Sequence, residues 1–243
     1  MTQAQMQAEL CGLIPEENKP EFVAQHLSAY AFMRPRVMGY RVLDVGFGDG
    51  YGSAYLAEVA REVVGIDLVQ RNIPRARAKY PRTNLVFQYF DGLHLPFLDD
   101  TFDAVGSFQV IEHVPEPQLV PWLSEIKRVL NKKGKFYVST PNLADMQKKG
   151  KPYQKLIYHE KEFTAGELGE LLRKVFPVVE LHGLHLSPKH RFIRRLKRWG
   201  FDKRFPLSML IKQYYSKITI RGFFVTQHRV HCSRDLYAVC QKT

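Results

Sequence analysis

The feature that most constrains the fold is the stretch at residues 41–53, which reads RVLDVGFGDGYGS. A short apolar run at residues 42–45 leads into three glycines, Gly46, Gly48 and Gly50, and an amphipathic run follows them. This pattern predicts a strand, a tight turn and a helix. Glycine permits a positive φ and a close approach of the backbone, and a helix N-terminus presents unpaired N–H groups. A small polar ligand is therefore expected at this turn.

Further apolar runs indicate an α/β fold built on a mostly parallel sheet. Strands are predicted at residues 62–67, 84–90, 102–108, 134–140, 178–184 and 235–240, and helices at 20–38, 51–57, 70–79, 117–130 and 163–175. Alternation of apolar strands with helices is typical of a doubly wound sheet covered on both faces. Ligands of such sheets bind at the C-terminal ends of the strands. Those ends carry Asp44, Asp67, Asp91 and Gln109.

The glycine spacing excludes the fingerprint of nicotinamide-dinucleotide folds. That fingerprint is G-x-G-x-x-G, and its third glycine would fall on Tyr51. The sequence instead has D-x-G-x-G-x-G, with Asp44 two residues before the first glycine and Asp67 at the end of the next strand. A carboxylate at the second strand end suits the hydroxyls of a ribose.

Six motifs together carry a family resemblance. They are VLDVGFGDG at 42–50, GID at 65–67, DGLHLPF at 91–97, FDAV at 102–105, VIEHV at 110–114 and EIKRVLNKKGK at 125–135. In this order they resemble the class I S-adenosylmethionine-dependent methyltransferases, most of all the methyltransferase type 11 branch that includes the ubiquinone and menaquinone biosynthesis enzymes. The resemblance covers about residues 40–142. It implies a Rossmann-like, seven-stranded sheet whose last strand is antiparallel.

The resemblance also implies S-adenosylmethionine as the methyl donor and assigns residues to it. The ribose hydroxyls fall to Asp67, followed by Leu68, and Gln109 lies on the methyl-donor side. Each acid taken alone also fits a helix N-cap, but three at successive strand ends favour a cofactor site. The remaining assignments are Asp44, Gly46, Gly48 and Gly50 for the methionine end, and Asp91, Gly92 and Leu93 for the adenine.

Methyl transfer from a sulfonium releases a neutral thioether, so the leaving group needs no proton. A hydroxyl or amine acceptor does need a base, and histidine suits this role near neutral pH. The candidate catalytic residues are Glu112, His113 and His159. Alternatively, Glu112 and His113 brace the loop beside the cofactor, and His159 is a surface or capping histidine. No metal site is predicted, because no third ligand lies at a characteristic sequence spacing from the Glu112–His113 pair.

The charge distribution singles out the C-terminal part of the chain. Residues 1–145 hold 15 Lys/Arg and 17 Asp/Glu, a net charge of −2, whereas residues 146–243 hold 21 and 7, a net charge of +14. Segment 189–204 has eight cations in sixteen positions, with Phe192, Ile193, Leu196 and Trp199 at helical spacing. Three interpretations remain open for this predicted amphipathic helix: a stripe packed on the sheet, contact with an anionic membrane, or binding of phosphate on a nucleotide-linked substrate or RNA.

The predicted activity is methyl transfer to an oxygen or nitrogen of a small-molecule acceptor, such as a lipid, a quinone-like compound or a sugar-bearing compound. Nucleic acid is a less favoured partner, because residues 107–110 lack the Asn/Asp-Pro-Pro-aromatic motif of amino-methylating enzymes and no cysteine lies near a strand end in the core. The alternative is an S-adenosylmethionine-binding protein without turnover, associated with RNA or a membrane through its basic C-terminal region.

A single domain is predicted over residues 1–243: N-terminal helices at 1–39, a cofactor-binding core at 40–142, and a substrate-side half at 143–243 that contains a basic insertion at 187–222. No apolar run approaches the roughly 20 residues of a membrane span, and the polar N-terminus does not resemble a signal peptide. The expected location is the cytoplasm, or a membrane surface as a peripheral protein. Cys11, Cys232 and Cys240 are expected to be reduced and structural.

Overall fold

The computed structural model describes residues 12–147, 152–203 and 206–243. Cys11 and the polar residues before it, positions 148–151, and positions 204 and 205 lie outside the described residues. Within the described ranges, no helix has the length and apolar character needed to cross a membrane.

Helices and strands alternate through the first half of the chain as the apolar runs predict. Helix α1 ends at Met33, five residues earlier than predicted, and a 3-10 turn around Pro35 follows it, because proline cannot supply the N–H that an α-helix requires. The elements are α1 (Pro20–Met33), β1 (Arg41–Val45), α2 (Tyr51–Ala57), β2 (Glu62–Asp67), α3 (Asn72–Lys79), β3 (Leu85–Tyr89), β4 (Phe102–Phe108) and α4 (Leu119–Val129).

The second half departs further from simple alternation. Strand β5 begins at residue 130 rather than 134, and the pairing register with β4 shifts near the start of the two strands. The elements are β5 (Leu130–Pro141), α5 (Leu143–Met146), α6 (Ala165–Arg173), β6 (Val178–Leu186), α7 (Pro188–Arg198), α8 (Leu207–Ser216), β7 (Phe223–Thr226) and β8 (Asp235–Gln241). Helix α6 begins with a capping box, in which Thr164 and Glu167 exchange side chain to backbone hydrogen bonds.

The strands form one sheet in the order β3-β2-β1-β4-β5-β8-β6-β7. Strands β1 to β5 pair in parallel, whereas β8 is antiparallel to both β5 and β6. The Rossmann-like α/β class and the antiparallel last strand are therefore confirmed. The predicted number of seven strands is wrong by one, because the four-residue β7 pairs with β6 as an additional edge strand. Its shortness gives it little signal in the sequence.

Alternating residues of the central strands supply two apolar cores, one on each face of the sheet. In β1, Val42 belongs to the core beneath α1 and α2, whereas the adjacent Leu43 belongs to the core beneath α4 and α6. Tyr30 is buried in the first core and Trp122 in the second. Because the central strands are buried on both faces, they appear in the sequence as continuous apolar runs.

The basic insertion extends from the same sheet edge as the C-terminal ends of the parallel strands. Strand β6 runs parallel to β5, because both are antiparallel to β8, and α7 begins two residues after β6 ends. The interpretation in which the apolar stripe of α7 packs on the sheet is wrong for two of its members. Phe192 is 59% exposed and Trp199 is 54% exposed, while the fully buried side chain of this helix is His190.

Candidate functional site

A cavity of about 370 Å³ opens at the C-terminal edge of the sheet, above the glycine turn. Its volume falls in the range of about 300–1,000 Å³ that is usual for small-molecule sites. Most of the predicted site residues line it: Gly46, Gly48, Asp67, Leu68, Asp91, Gly92, Leu93, Gln109 and His113. Four predicted residues do not line it: Asp44, Gly50, Glu112 and His159.

A larger and more open depression of about 920 Å³ lies between α1 and α7. It is lined by exposed charged residues of both signs, including Glu17 and Arg198, and by no residue of the glycine turn. Volume alone therefore does not identify the site. The smaller cavity has the convergent polar groups and apolar walls that small-molecule sites require.

The glycine turn brings the backbone close to the cavity and to its neighbours. Gly46 has φ of 80°, and a Cβ at this position would lie 2.5 Å from Cγ2 of Val110. Gly50 has φ of 96° and is the N-cap of α2, where a Cβ would lie 3.0 Å from Ala76 and from Phe87. The absence of a side chain at Gly46 lets the backbone pass close to Val110 beside the cavity. The absence of one at Gly50 lets the turn pack on α3 and β3.

Asp44 lies beneath the cavity floor rather than in its wall. Its side chain is fully buried, and Oδ2 accepts a hydrogen bond of 2.5 Å from the Ser53 hydroxyl. The hydroxyl of Tyr30, which does line the cavity, lies 3.4 Å from the same oxygen. Burial raises the pKa of Asp44 to about 7, with the hydrogen bonds opposing that rise. Asp44 therefore anchors the turn and acts on the cavity through Tyr30.

Asp67 connects the end of β2 to the glycine turn. One carboxylate oxygen accepts a hydrogen bond of 2.8 Å from the N–H of Gly48, and the other accepts one of 2.8 Å from the N–H of Val69. Burial raises the pKa of Asp67 to about 6. Each oxygen has two lone pairs, so the carboxylate retains acceptor capacity toward the cavity that it lines.

Asp91 organises the loop after β3 on the exposed side of the cavity. Its Oδ1 accepts hydrogen bonds of 3.0 Å from the N–H groups of Leu93 and His94, and these bonds lower the pKa of Asp91. This pattern is a local turn of the kind that aspartate makes with its own backbone. Gly92, with φ of 100°, completes the turn. The loop thereby presents Leu93 to the cavity as part of an apolar wall.

Gln109 marks an unusual backbone conformation immediately after β4. Its φ is 59°, a left-handed value that is uncommon for a residue other than glycine. Its N–H donates to the carbonyl of Ser139 at 2.9 Å, and its Nε2 donates to the Ser139 hydroxyl at 3.1 Å. These two bonds hold the residue in place against β5. Strained backbone of this kind concentrates at functional sites.

His113 is the candidate catalytic residue that faces the cavity. Its Nδ1 lies 2.9 Å from the carbonyl oxygen of Tyr158. Because a carbonyl oxygen only accepts, Nδ1 carries the proton, and Nε2 is left with a free lone pair. Burial lowers the pKa of His113, so the ring is neutral near pH 7. A neutral imidazole with a fixed tautomer can accept a proton at Nε2.

Glu112 and His159 lie behind His113. Burial raises the pKa of Glu112 to about 8 and lowers the pKa of His159 to about 4. His159 Nδ1 lies 2.8 Å from Oε1 of Glu162, and its ring meets the His113 ring edge to face at 5.1 Å between centroids. The backbone carbonyl of Glu112 accepts hydrogen bonds from the N–H groups of Glu160 and Lys161. These bonds hold the segment that contains His159 beside Glu112.

The fold brings a third possible metal ligand, His159, close to Glu112 and His113. Donor atoms of Glu112, His113 and His159 all lie within 4.8 Å of one another, a grouping that could hold a metal ion. No metal site was expected from the spacing along the chain, because His113 and His159 are 46 positions apart. The absence of a metal remains a prediction.

Helix α1 contributes cavity residues that the sequence did not single out. His26 and Tyr30, four residues apart and therefore on one side of the helix, both line the cavity. Burial lowers the pKa of His26 to about 4. Apolar periodicity predicts that α1 packs on the sheet, but it carries no information on which polar residue of that helix faces a ligand.

Comparison with known proteins shows that part of the chain is similar to methyltransferases. Residues 43–138 match the model of a methyltransferase domain family. Over 159 residues the chain is 36% identical to a protein of Mycolicibacterium smegmatis named a probable S-adenosylmethionine-dependent methyltransferase, covering 65% of this chain and 59% of that relative. Over 106 residues it is 34% identical to a ubiquinone biosynthesis O-methyltransferase of Cereibacter sphaeroides, covering 43% of this chain and 42% of that enzyme.

A solved structure shares the fold over nearly the whole chain. The S-adenosylmethionine-dependent methyltransferase of Thermotoga maritima superimposes with a TM-score of 0.63 at 16% identity, covering 91% of this chain and 93% of that one. At this identity the likeness concerns the fold. The chain spans about 60% of the length of the mycobacterial relatives that it matches.

Proposed function

The chain belongs to the class I S-adenosylmethionine-dependent methyltransferases, and on that premise we propose that it transfers a methyl group from S-adenosylmethionine to an oxygen or nitrogen of a small-molecule acceptor. One observation carries the proposal: a single cavity is lined by the glycine turn, by Asp67 and by His113, whose Nδ1 is held by the Tyr158 carbonyl. A donor site and a candidate base therefore share one cavity.

The residues present fit the methyl donor. Asp67 is buried, lines the cavity and retains acceptor capacity for ribose hydroxyls after its two backbone hydrogen bonds. Gly46 and Gly48 have no side chains, so their backbone borders the cavity directly. Tyr30 lines the same cavity. Leu68 and Leu93 supply apolar surface suited to the faces of an adenine ring. Asp44 supports the methionine end from below, through Tyr30.

When bound, S-adenosylmethionine would supply a methyl group on a positively charged sulfonium sulfur, and transfer of that methyl group would leave a neutral thioether. The protein then has two tasks, to align the acceptor and to exclude water from the reacting atoms. Gln109, fixed on Ser139, forms a wall of the cavity together with Phe108. These fixed surfaces favour an acceptor held in line with the methyl group.

We assign the base to His113, because Glu112 and His159 do not line the cavity. A hydroxyl or amine acceptor loses its proton to Nε2 of His113 as the new bond to the methyl carbon forms. The Tyr158 carbonyl holds the ring through Nδ1, and the buried Glu112 and His159 pack behind it. Their own catalytic roles remain predictions of the sequence.

Calorimetry tests the donor site. S-adenosylhomocysteine should bind the wild-type protein, and Asp67→Asn should weaken that binding by about tenfold or more, because the amide removes a negative acceptor from the ribose. Glu170→Gln, which changes an exposed acid on α6, is the matched control. Tight binding of a nicotinamide dinucleotide, with neither S-adenosyl compound bound, would refute the proposal.

A methyl-transfer screen tests the acceptor class. The protein is incubated with tritiated S-adenosylmethionine and with cell extract separated into lipid, small-molecule, RNA and protein fractions. Label is expected in the lipid or small-molecule fraction and is expected to fall by about 10²-fold or more in His113→Gln, the range for loss of a general base. Label in RNA or protein would overturn the acceptor assignment, and binding without any label would favour the alternative of a cofactor-binding protein without turnover.

A further inference from the structure

The apolar stripe of helix α7 is exposed at Phe192 and at the C-cap Trp199, whereas Ile193 and Leu196 are half-buried. Phe192 and Trp199 are seven residues apart, so they lie on one side of the helix, and both are more than half exposed. The opposite side carries His190, which is fully buried and has Nε2 at 3.1 Å from Oε1 of Glu21 on α1. A polar contact therefore fixes the helix to the molecule, while its aromatic residues face solvent. A surface helix usually turns such aromatic side chains toward the protein.

Helix α8 extends the exposed apolar surface. Met209 is 61% exposed and Leu210 is 59% exposed. The two helices are neighbours, because Ile193 of α7 and Leu210 of α8 line the same groove of about 490 Å³. We call Phe192, Trp199, Met209 and Leu210 the outer face. Large exposed apolar side chains on two neighbouring helices are a feature of interaction sites.

Cations surround the outer face. Helix α7 contains six Lys and Arg residues and no acid among its eleven positions. The guanidinium of Arg195 lies 4.4 Å from the centroid of the Trp199 ring, so charge and aromatic surface are directly adjacent. Lys189 and Lys217 border the groove between the helices. The partner must therefore present negative charge and accept apolar side chains at the same place.

We propose that the outer face docks on an anionic lipid bilayer, with the two helices lying in the plane of the headgroups. A bilayer surface matches both properties, since acyl chains take up aromatic and aliphatic side chains while anionic headgroups pair with the flanking cations. RNA would use the cations and the two aromatic rings, but it has no comparable use for Met209 and Leu210. The observations therefore favour lipid over nucleic acid.

Helix α7 begins two residues after β6 ends, at the sheet edge that also carries the cofactor cavity. The inference concerns binding alone and does not depend on methyl transfer, so its test and the test of the proposed function can fail separately.

Tryptophan fluorescence offers a direct test. The chain has two tryptophans, Trp122, which is 1% exposed, and Trp199, which is 54% exposed. Vesicles of phosphatidylglycerol and phosphatidylcholine should shift the emission to shorter wavelength and should carry the protein upward in a flotation gradient. Vesicles of phosphatidylcholine alone should do neither, and binding to anionic vesicles should weaken as salt screens the cations.

Matched variants separate the outer face from general surface properties. Phe192→Ser with Leu210→Ser, which keeps Trp199 as the reporter, should lower vesicle affinity by about tenfold or more, as should Arg191→Gln with Arg195→Gln. The apolar control is Met38→Ser with Leu98→Ser, exposed by 71% and 84%, and the charge control is Lys132→Gln with Lys133→Gln. Circular dichroism confirms that each variant is folded, and both controls should bind as the wild type does.

Several outcomes would overturn the proposal. They are absence of flotation with anionic vesicles, equal binding to phosphatidylcholine alone, and equal loss of binding in the control variants. Displacement from vesicles by a short RNA at lower concentration would assign the surface to nucleic acid instead. A blue shift that depends on protein concentration without lipid would assign it to self-association.

Discussion

At the scale of single residues, the cost of burying a charged carboxylate determines the pKa of Asp44. The side chain has no exposed surface and has only hydroxyl partners, Ser53 and Tyr30, so burial raises its pKa to about 7. The unfolded chain titrates near the ordinary value of 3.8. Between these two values the folded protein binds the proton more tightly than the unfolded chain does.

This difference gives a stability prediction with a definite sign. As the pH rises from about 4 to about 7, Asp44 ionises in the unfolded chain first, so its contribution to the free energy of unfolding falls by up to about 4 kcal/mol. Asp44→Asn cannot ionise. We expect the ligand-free variant to gain stability relative to wild type across this range, as measured by urea unfolding. A constant difference between the two proteins, or the same trend in Glu170→Gln, would contradict the assignment.

Local patterns of residues predict most of the lining of the cavity that we assign to the methyl donor. The acid before the glycines and the acids at the next two strand ends stand at fixed intervals that follow from parallel strand geometry. The role of Asp44 as a buried support is less visible, because the pattern does not show whether a side chain at a strand end points into the cavity or into the core. The two orientations differ by one position in a strand of period two.

At the scale of elements, the sequence predicts what is locally encoded. Continuous apolar runs indicate β1 to β5, and the Thr164–Glu167 pair indicates the start of α6. The pairing of His113 with His159 is not locally encoded. It depends on hydrogen bonds from the chain around residue 160 to the carbonyl of Glu112, a contact between segments far apart in the sequence.

Helix α7 shows a second limit of the same kind. Its apolar spacing predicts an amphipathic helix, and a helix forms over Pro188–Arg198. Periodicity identifies a stripe but not the side of the helix that meets the protein. Here the buried hydrogen bond between His190 and Glu21 fixes that side, and the two residues lie 169 positions apart.

The capping box of α6 permits an element-scale prediction. Thr164 Oγ1 accepts the N–H of Glu167 at 3.3 Å, and the Glu167 carboxylate accepts the N–H of Thr164 at 2.8 Å. Thr164→Ala removes the first bond and should lower the free energy of unfolding by about 1 kcal/mol. Thr164→Ser retains the hydroxyl and should stay near wild type in the same urea titration. An equal loss in both variants would show that the methyl group, rather than the cap, matters.

At the scale of the whole molecule, α1 connects the two halves of the chain beside the cavity that we assign to the methyl donor. On one side, Gln25 Nε2 donates to the Asp235 carboxylate at 2.9 and 3.0 Å, at the start of β8. On the other side, His26 and Tyr30 line the cavity that the first half builds. The helix therefore contacts both the donor site and the strand that closes the sheet.

A ligand in that cavity should accordingly stabilise α1 as well as the glycine turn, because binding free energy suppresses the opening of every element that contacts the ligand. We expect S-adenosylhomocysteine to slow amide hydrogen exchange in peptides from residues 20–33 and 46–53. Peptides from residues 188–198 and 207–216 should exchange as before, since α7 and α8 do not line the cavity. Asp67→Asn under the same ligand concentration is the control. Protection confined to residues 46–53 would show that α1 does not close over the donor.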